Sequence, residues 1–206
     1  MNTLFTGLTP PDNDCIHTPL IEIVPVDDDT ALRSALSRLA DYDYLLFTSR
    51  YAVAVVVQYT AVIPQSIKIV SIGSTTTTAL QVAGFNDIIQ VERDNSYGII
   101  EWFRNQLRGR VLMPRSNIAL NIIPDGLRLL GFEVDIVTAY KNRMPPHPRK
   151  VDLREIDRIV FTSPSTIDNF IRLYGALPKG KDIVTRGPIT EQHLQTIIKN
   201  VTYEKI

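Results

Sequence analysis

A short phrase occurs twice in this chain, and the interval between the copies limits the fold more than any other feature. Asp43 to Val56 reads D-Y-L-L-F-T-S-R-Y-A-V-A-V-V, and Asp157 to Phe170 reads D-R-I-V-F-T-S-P-S-T-I-D-N-F. Phe47-Thr48-Ser49 and Phe161-Thr162-Ser163 are offset by 161 − 47 = 114 positions. Gly73, Thr76 and Leu80 stand against Gly187, Thr190 and Leu194 at the same offset, 187 − 73 = 114. One supersecondary unit used twice, with its internal spacing kept, predicts two compact halves, and 206 residues suffice for two small domains.

Each copy is a short apolar run of β type that ends in Thr-Ser and meets a helical pattern, so it reads as a strand stopping at a helix N-terminus. Four backbone N–H groups there lack partners within the helix, and with the helix dipole they suit a carboxylate or phosphate. Taken singly, Ser49 and Ser163 read as simple caps, worth roughly 1 kcal/mol each. Their duplication favours polar turns that face one shared ligand.

Lys plus Arg equals Asp plus Glu, 22 of each, so no net field draws the chain to nucleic acid or to a membrane surface. Any anionic ligand has to be held locally. The single cysteine, Cys15, excludes an internal disulfide and suits a reducing compartment. The N-terminus has no basic and apolar leader, and the run Ala52 to Val57 is too short to span a bilayer, so a cytoplasmic protein is expected. His17, His147 and His193 lack ligand spacing, so no metal centre is expected.

Along the chain, strands are expected at Thr3–Thr6, Leu20–Val26, Leu45–Thr48, Lys68–Ile72, Asp87–Val91, Arg110–Met113, Glu133–Tyr140, Arg158–Thr162 and Asp182–Thr185. Between them fall helices at Ala31–Leu39 (capped by Asp29 or Thr30), Ala52–Tyr59, Gly73–Val82, Tyr97–Arg108, Ile118–Leu130 (kinked by Pro124), Thr166–Tyr174 and Thr190–Lys199, with a tail to Ile206. Gly7 to Asp14, with Pro10 and Pro11, reads as a loop, and Pro114-Arg115-Ser116 as a strand terminator. Alternating strand and helix means parallel sheets. The proline-rich Lys141–Lys150 reads as an extended connector. The result is an α/β chain with a discontinuous outer domain, residues 1–23 and 152–206, and an inserted inner domain, 30–139, with connectors at 24–29 and 140–151.

F-T-S-x-x-A-V at Phe47, I-G-x-x-T at Ile72, Ala139-Tyr140 ending a strand, F-T-S-P-S-T-x-x-N-F at Phe161 and G-P-x-T-x-x-x-L at Gly187 resemble, in this order and spacing, the uroporphyrinogen-III synthase family of tetrapyrrole biosynthesis. The resemblance runs from Leu20 onward. It implies two flavodoxin-like, doubly wound parallel-sheet domains joined by a two-stranded connector, closing over hydroxymethylbilane, a linear tetrapyrrole with eight carboxylates. Residue by residue it implies Ser49, Arg50, Gly73, Thr76, Ser163, Ser165, Gly187 and Thr190 as substrate-binding positions and Tyr140 as the catalytic one. The chain departs from the family where Thr6-Gly7 replaces Thr-Arg, where Arg186-Gly187-Pro188 replaces I-G-P, and where no further helix follows the last motif.

The implied activity is cofactor-free loss of water from hydroxymethylbilane and closure to uroporphyrinogen III with ring D inverted, by a monomer that binds neither nucleic acid nor membrane. In that chemistry the pyrroles carry the electron flow through an azafulvene and a spiro intermediate, so the protein mainly positions the substrate. Tyr140 would hydrogen-bond to the departing hydroxyl, the competing reading being a tyrosine that only packs. A non-catalytic protein holding an anionic ligand in a hinge cleft is the rival function. A response-regulator-like receiver fits the sheets but lacks an acidic pocket, since Asp27 to Asp29 falls in a connector.

Overall fold

The computed structural model describes residues 1–11, 13–60 and 62–203; the end of the expected tail to Ile206 lies outside the described residues, as does Asp12 within the expected loop. In chain order the elements are β1 (Thr3–Phe5), β2 (Ile16–His17), β3 (Glu22–Val24), α1 (Thr30–Ser37), β4 (Tyr44–Phe47), α2 (Arg50–Val56), β5 (Lys68–Ser71), α3 (Gly73–Val82), β6 (Ile88–Gln90), α4 (Ser96–Arg104), β7 (Arg110–Ser116), α5 (Ile122–Leu129), β8 (Glu133–Arg143), β9 (Arg158–Phe161), α6 (Pro164–Tyr174), β10 (Asp182–Thr185) and α7 (Pro188–Tyr203). The chain is α/β, and it divides into two compact units, residues 24–142 and residues 1–23 with 143–206.

In the unit of residues 24–142, β4 lies at the centre of the strand order β8-β7-β4-β5-β6. From β4 to β8 every adjacent pair is parallel. The chain winds outward from β4 through β5 and β6, then returns to the other side of β4 with β7 and β8, so the winding reverses between β4 and β7. Tyr44, Leu46, Val70, Val111 and Met113 of the strands pack against Ile99, Phe103, Ile123 and Leu127 of the helices. Phe103 meets Tyr44 and Phe132 edge-on at ring separations of 5.1 and 5.0 Å, a favoured aromatic geometry.

The other unit carries the parallel sheet β10-β9-β1-β2. Its core is Leu4, Leu20, Ile159, Phe161, Ile167, Phe170 and Leu194. The described residues between β1 and β2 form a loop, as the adjacent prolines require, and β2 itself is a two-residue strand too short for its sequence to announce.

Several boundaries differ from those read off the sequence, each for a physical reason. Pro114 does not end β7, which continues to Ser116; β4 pairs with β7 only at Val111 and Leu112, so at Pro114 the strand has one neighbour and its missing N–H costs no ladder bond. Pro124 does not kink a long helix: α5 starts at Ile122, and Pro124 sits in the first turn, where the N–H would have no acceptor. α4 stops at Arg104, and Arg108 donates to the Phe103 and Gln106 backbone carbonyls around the helix end. Asp29 precedes α1 without capping it; its carboxylate accepts from Arg33 and Tyr59, which hold its pKa down at about 2, and Asp28 takes the Thr30 N–H. α2 forms despite its valines because Ala52, Val53 and Val56 share one buried face. β8 runs on to Arg143, shortening the expected connector.

Candidate functional site

Parallel sheets hold ligands beyond the carboxyl ends of their strands, most often where the winding reverses. In the unit of residues 24–142 that point lies between β4 and β7; Ser49 follows β4, and Ser116 is the last residue of β7. Ser49 is half-buried and extended, at φ −158° and ψ 134°, and its Oγ accepts the Tyr51 N–H at 3.1 Å. Tyr140 on β8 donates its O–H to the same oxygen at 2.9 Å.

A register shift brings that tyrosine to the site. Arg115 pairs with Thr138, but Ser116 pairs with Tyr140, so β8 gains one residue and Ala139 and Tyr140 are buried in succession. A bulge of this kind re-aims the following side chain. Ser116 lies opposite Tyr140, and the Asn117 N–H, from the turn after β7, donates to the Tyr140 carbonyl at 3.2 Å. Tyr140 is only 7% exposed, and this burial raises its pKa above that of a free tyrosine. Tyr51 lies beside it, rings 5.9 Å apart, and Arg50 stacks over Tyr51 while donating to its hydroxyl at 3.0 Å.

At the next turn Gly73 has φ +67°, a conformation that favours glycine, and it starts α3. The sequence reading presents Thr76 to a ligand, but the structure buries it to 4% exposure on the same helix face as Leu80. Residues spaced by three and four share a helix face, so the repeated Gly-Thr-Leu spacing marks packing. The exposed hydroxyl residues at this helix start are Ser74 and Thr75. Asp94 lies close enough that a Cβ on Gly73 would meet its Cβ at 3.3 Å, which puts negative charge near this helix start.

In the other unit, Ser163 and Ser165 bring their hydroxyls to 2.9 Å at the start of α6, and Ser163 forms a capping box with Thr166. Gly187 has φ +86° and precedes α7, and Thr190 is buried to 3% exposure in the way Thr76 is. Arg186 was not singled out as a binding residue by the sequence. Its backbone N–H donates to the Phe161 carbonyl, while its guanidinium lies 5.0 Å over the Phe5 ring and makes no hydrogen bond or ion pair among the described residues. Gly7 packs against Thr162 at the carboxyl ends of β1 and β9, and His17 Nε2 is 2.8 Å from the Gly7 carbonyl oxygen.

Ser49, Arg50, Gly73 and Tyr140 therefore share the carboxyl ends of one sheet, and Ser163, Ser165, Gly187 and Arg186 those of the other. A surface groove lined by Arg38, Tyr42, Arg128 and Asp135 lies at the opposite, amino-terminal ends of β4 and β8, away from where parallel sheets bind ligands.

Comparison with known proteins places this arrangement. The chain is 26% identical over 185 residues to a protein of Methanothermobacter thermautotrophicus described as a putative uroporphyrinogen-III synthase, covering 80% of this chain and 73% of that one. It is 29% identical over 211 residues to the uroporphyrinogen-III synthase of Synechococcus elongatus, covering 92% and 79%. Two solved structures share its fold at 16% identity, each covering 95% of this chain and 88% of the other. They are uroporphyrinogen-III synthases of Thermus thermophilus, with a TM-score of 0.68, and of Helicobacter pylori, with 0.62. The family model for uroporphyrinogen-III synthase HemD matches residues 12–203, and the chain belongs to that family.

Proposed function

We propose that this protein cyclises hydroxymethylbilane to uroporphyrinogen III, releasing water and inverting ring D. The observation that carries the reading is the hydroxyl cluster at the reversal of the winding, where Tyr140 and Ser49 meet at 2.9 Å beside the polar turn of Arg50. In this reading the cluster assists loss of the terminal hydroxyl, with Tyr140 as its catalytic member. The substrate's carboxylates are held by Ser49, Arg50 and the backbone at Gly73 in one unit, and by Ser163, Ser165 and the backbone at Gly187 in the other. Thr76 and Thr190, being buried, brace the two glycine turns from below.

The chemistry asks little more of the protein. Once the hydroxyl leaves, the azafulvene is stabilised by its own pyrrole, and attack at the substituted carbon of ring D gives a spiro intermediate that fragments and recloses. Holding a flexible bilane in that near-attack shape replaces a large entropic cost. No helix among the described residues is long and apolar enough to cross a membrane. We place the enzyme in the cytoplasm as a monomer, which sedimentation at working concentration tests.

Incubation with freshly made hydroxymethylbilane, followed by oxidation and separation of the porphyrin isomers, tests the activity. Isomer III is the expected product. Isomer I alone, which forms spontaneously, would leave a protein that binds the bilane without directing its closure.

A further inference from the structure

The functional reading puts Tyr140 at the departing hydroxyl, and the hydrogen bonds determine how it can act there. Ser49 Oγ accepts from the Tyr51 N–H at 3.1 Å and from the Tyr140 O–H at 2.9 Å. A serine hydroxyl offers two lone pairs and one proton. Both lone pairs are engaged, so donation is the capacity Ser49 has left. Ser49 is half-buried at the carboxyl end of β4, whereas Tyr140 has 7% of its surface exposed and its proton already engaged.

We infer that Tyr140 acts through Ser49: the Ser49 O–H is the hydrogen-bond donor presented to the substrate's departing hydroxyl, and Tyr140 is a positioning residue that orients and polarises it. The inference rests on the functional reading above and deepens it, moving the contact with the departing hydroxyl from Tyr140 to Ser49. Ser116 stands opposite Tyr140 in the strand register, where the bulge sets the two residues side by side. Consecutive hydrogen bonds polarise one another, so two bonds accepted at Ser49 Oγ make its remaining proton a better donor.

The proton balance is consistent with this arrangement. As the C–O bond of the hydroxymethyl group breaks, the electron pair leaves on oxygen and the adjacent pyrrole becomes an azafulvene. The pyrrole N–H supplies the proton that turns the departing hydroxide into water. Ser49 stabilises the negative charge developing on that oxygen, and both Ser49 and Tyr140 keep their protons. Burial, which makes the Tyr140 phenol harder to ionise, favours that outcome.

The test is a double-mutant cycle on the full-length protein with hydroxymethylbilane, reading kcat, KM and isomer ratio for Ser49→Ala, Ser49→Thr, Tyr140→Phe and Ser49→Ala/Tyr140→Phe. Removing a donor aimed at developing charge costs about a hundredfold or more in kcat. Ser49→Ala is therefore expected to lower kcat about a hundredfold, with KM moving less, and Tyr140→Phe about tenfold. The double variant should be no slower than Ser49→Ala alone, because the tyrosine then has nothing to act through. Ser49→Thr, which keeps hydroxyl and cap, should stay within about threefold of wild type, and thermal melting of each variant reports that it folds. A double variant slowed by the product of the two single losses, or a Tyr140→Phe loss larger than that of Ser49→Ala, would overturn the relay while leaving the synthase reading intact. Isomer I alone from the wild-type protein would overturn both.

Discussion

Gly7→Ala adds one methyl group where three atoms already stand. A Cβ on Gly7 would lie 2.6 Å from Thr162 Cγ2, 2.7 Å from Thr162 Oγ1 and 2.9 Å from Phe5 Cε1. Gly7 does not have a positive φ, so the backbone accepts an L-residue and the cost is packing alone. Phe5 is 1% exposed and carries the Arg186 guanidinium over its ring, so it has little freedom to yield. Thr162 has to move, and it leads directly into Ser163. Overpacking of this kind costs about 1–3 kcal/mol, and a domain of this size loses about 4–8 °C in melting temperature per kcal/mol. Calorimetry of Gly7→Ala, Thr162→Ala and the double variant measures the coupling. Removing the Thr162 side chain should bring the double variant to within about 0.5 kcal/mol of Thr162→Ala, the spread expected when the two substitutions no longer clash. Gly7→Ala melting with wild type, or a loss undiminished in the Thr162→Ala background, would refute the steric argument. The same geometry explains why Thr6-Gly7 stands in place of a larger residue: position 7 has no room for a side chain.

Arg186→Gln is expected to raise KM for hydroxymethylbilane about tenfold with kcat nearly unchanged, the loss of one charge-assisted contact to a carboxylate; an unaltered KM would return Arg186 to a stacking role. Tyr42 is pushed up to about 12, first by burial and then by the Asp135 carboxylate that its hydroxyl meets at 2.7 Å. Because its folded pKa is raised, its contribution to stability is complete below pH about 10, the unfolded tyrosine value, and is lost as pH rises toward about 12. Denaturant titrations should therefore fall more steeply across that window for wild type than for Tyr42→Phe, and parallel curves would count against the shift. The Thr18 hydroxyl is buried with no partner among the described residues, so Thr18→Val should stabilise by up to about 1 kcal/mol. Destabilisation by a similar amount would show that this hydroxyl is bonded in solution.

Secondary structure and repeat were legible because they rest on local periodicity. The duplicated Phe-Thr-Ser phrase marks the strands β4 and β9, both buried at Phe47 and Phe161, and the turns that follow them. Prolines misled where the outcome depended on neighbours: Pro114 is tolerated because β4 has already left β7, and Pro124 because it falls in a first turn. The repeated Gly-Thr-Leu spacing was legible as a signal but not as its cause, since ligand contact and core packing require similar residues at the same interval. Only burial distinguishes them, and Thr76 and Thr190 fall on the core side.

The sequence by itself determined that this chain builds parallel α/β units whose strands end in hydroxyl-bearing turns, because strand, helix and cap preferences are properties of a few adjacent residues. It also marked Tyr140 as the end of a strand. That this tyrosine lies opposite Ser116 and gives its hydrogen bond to Ser49, 91 positions away along the chain, was decided by the tertiary structure alone. One residue of slip between β7 and β8 makes the difference: in an unbroken ladder Ser116 would face Ala139, and Tyr140, turned to the other side of the sheet, would not reach the serine.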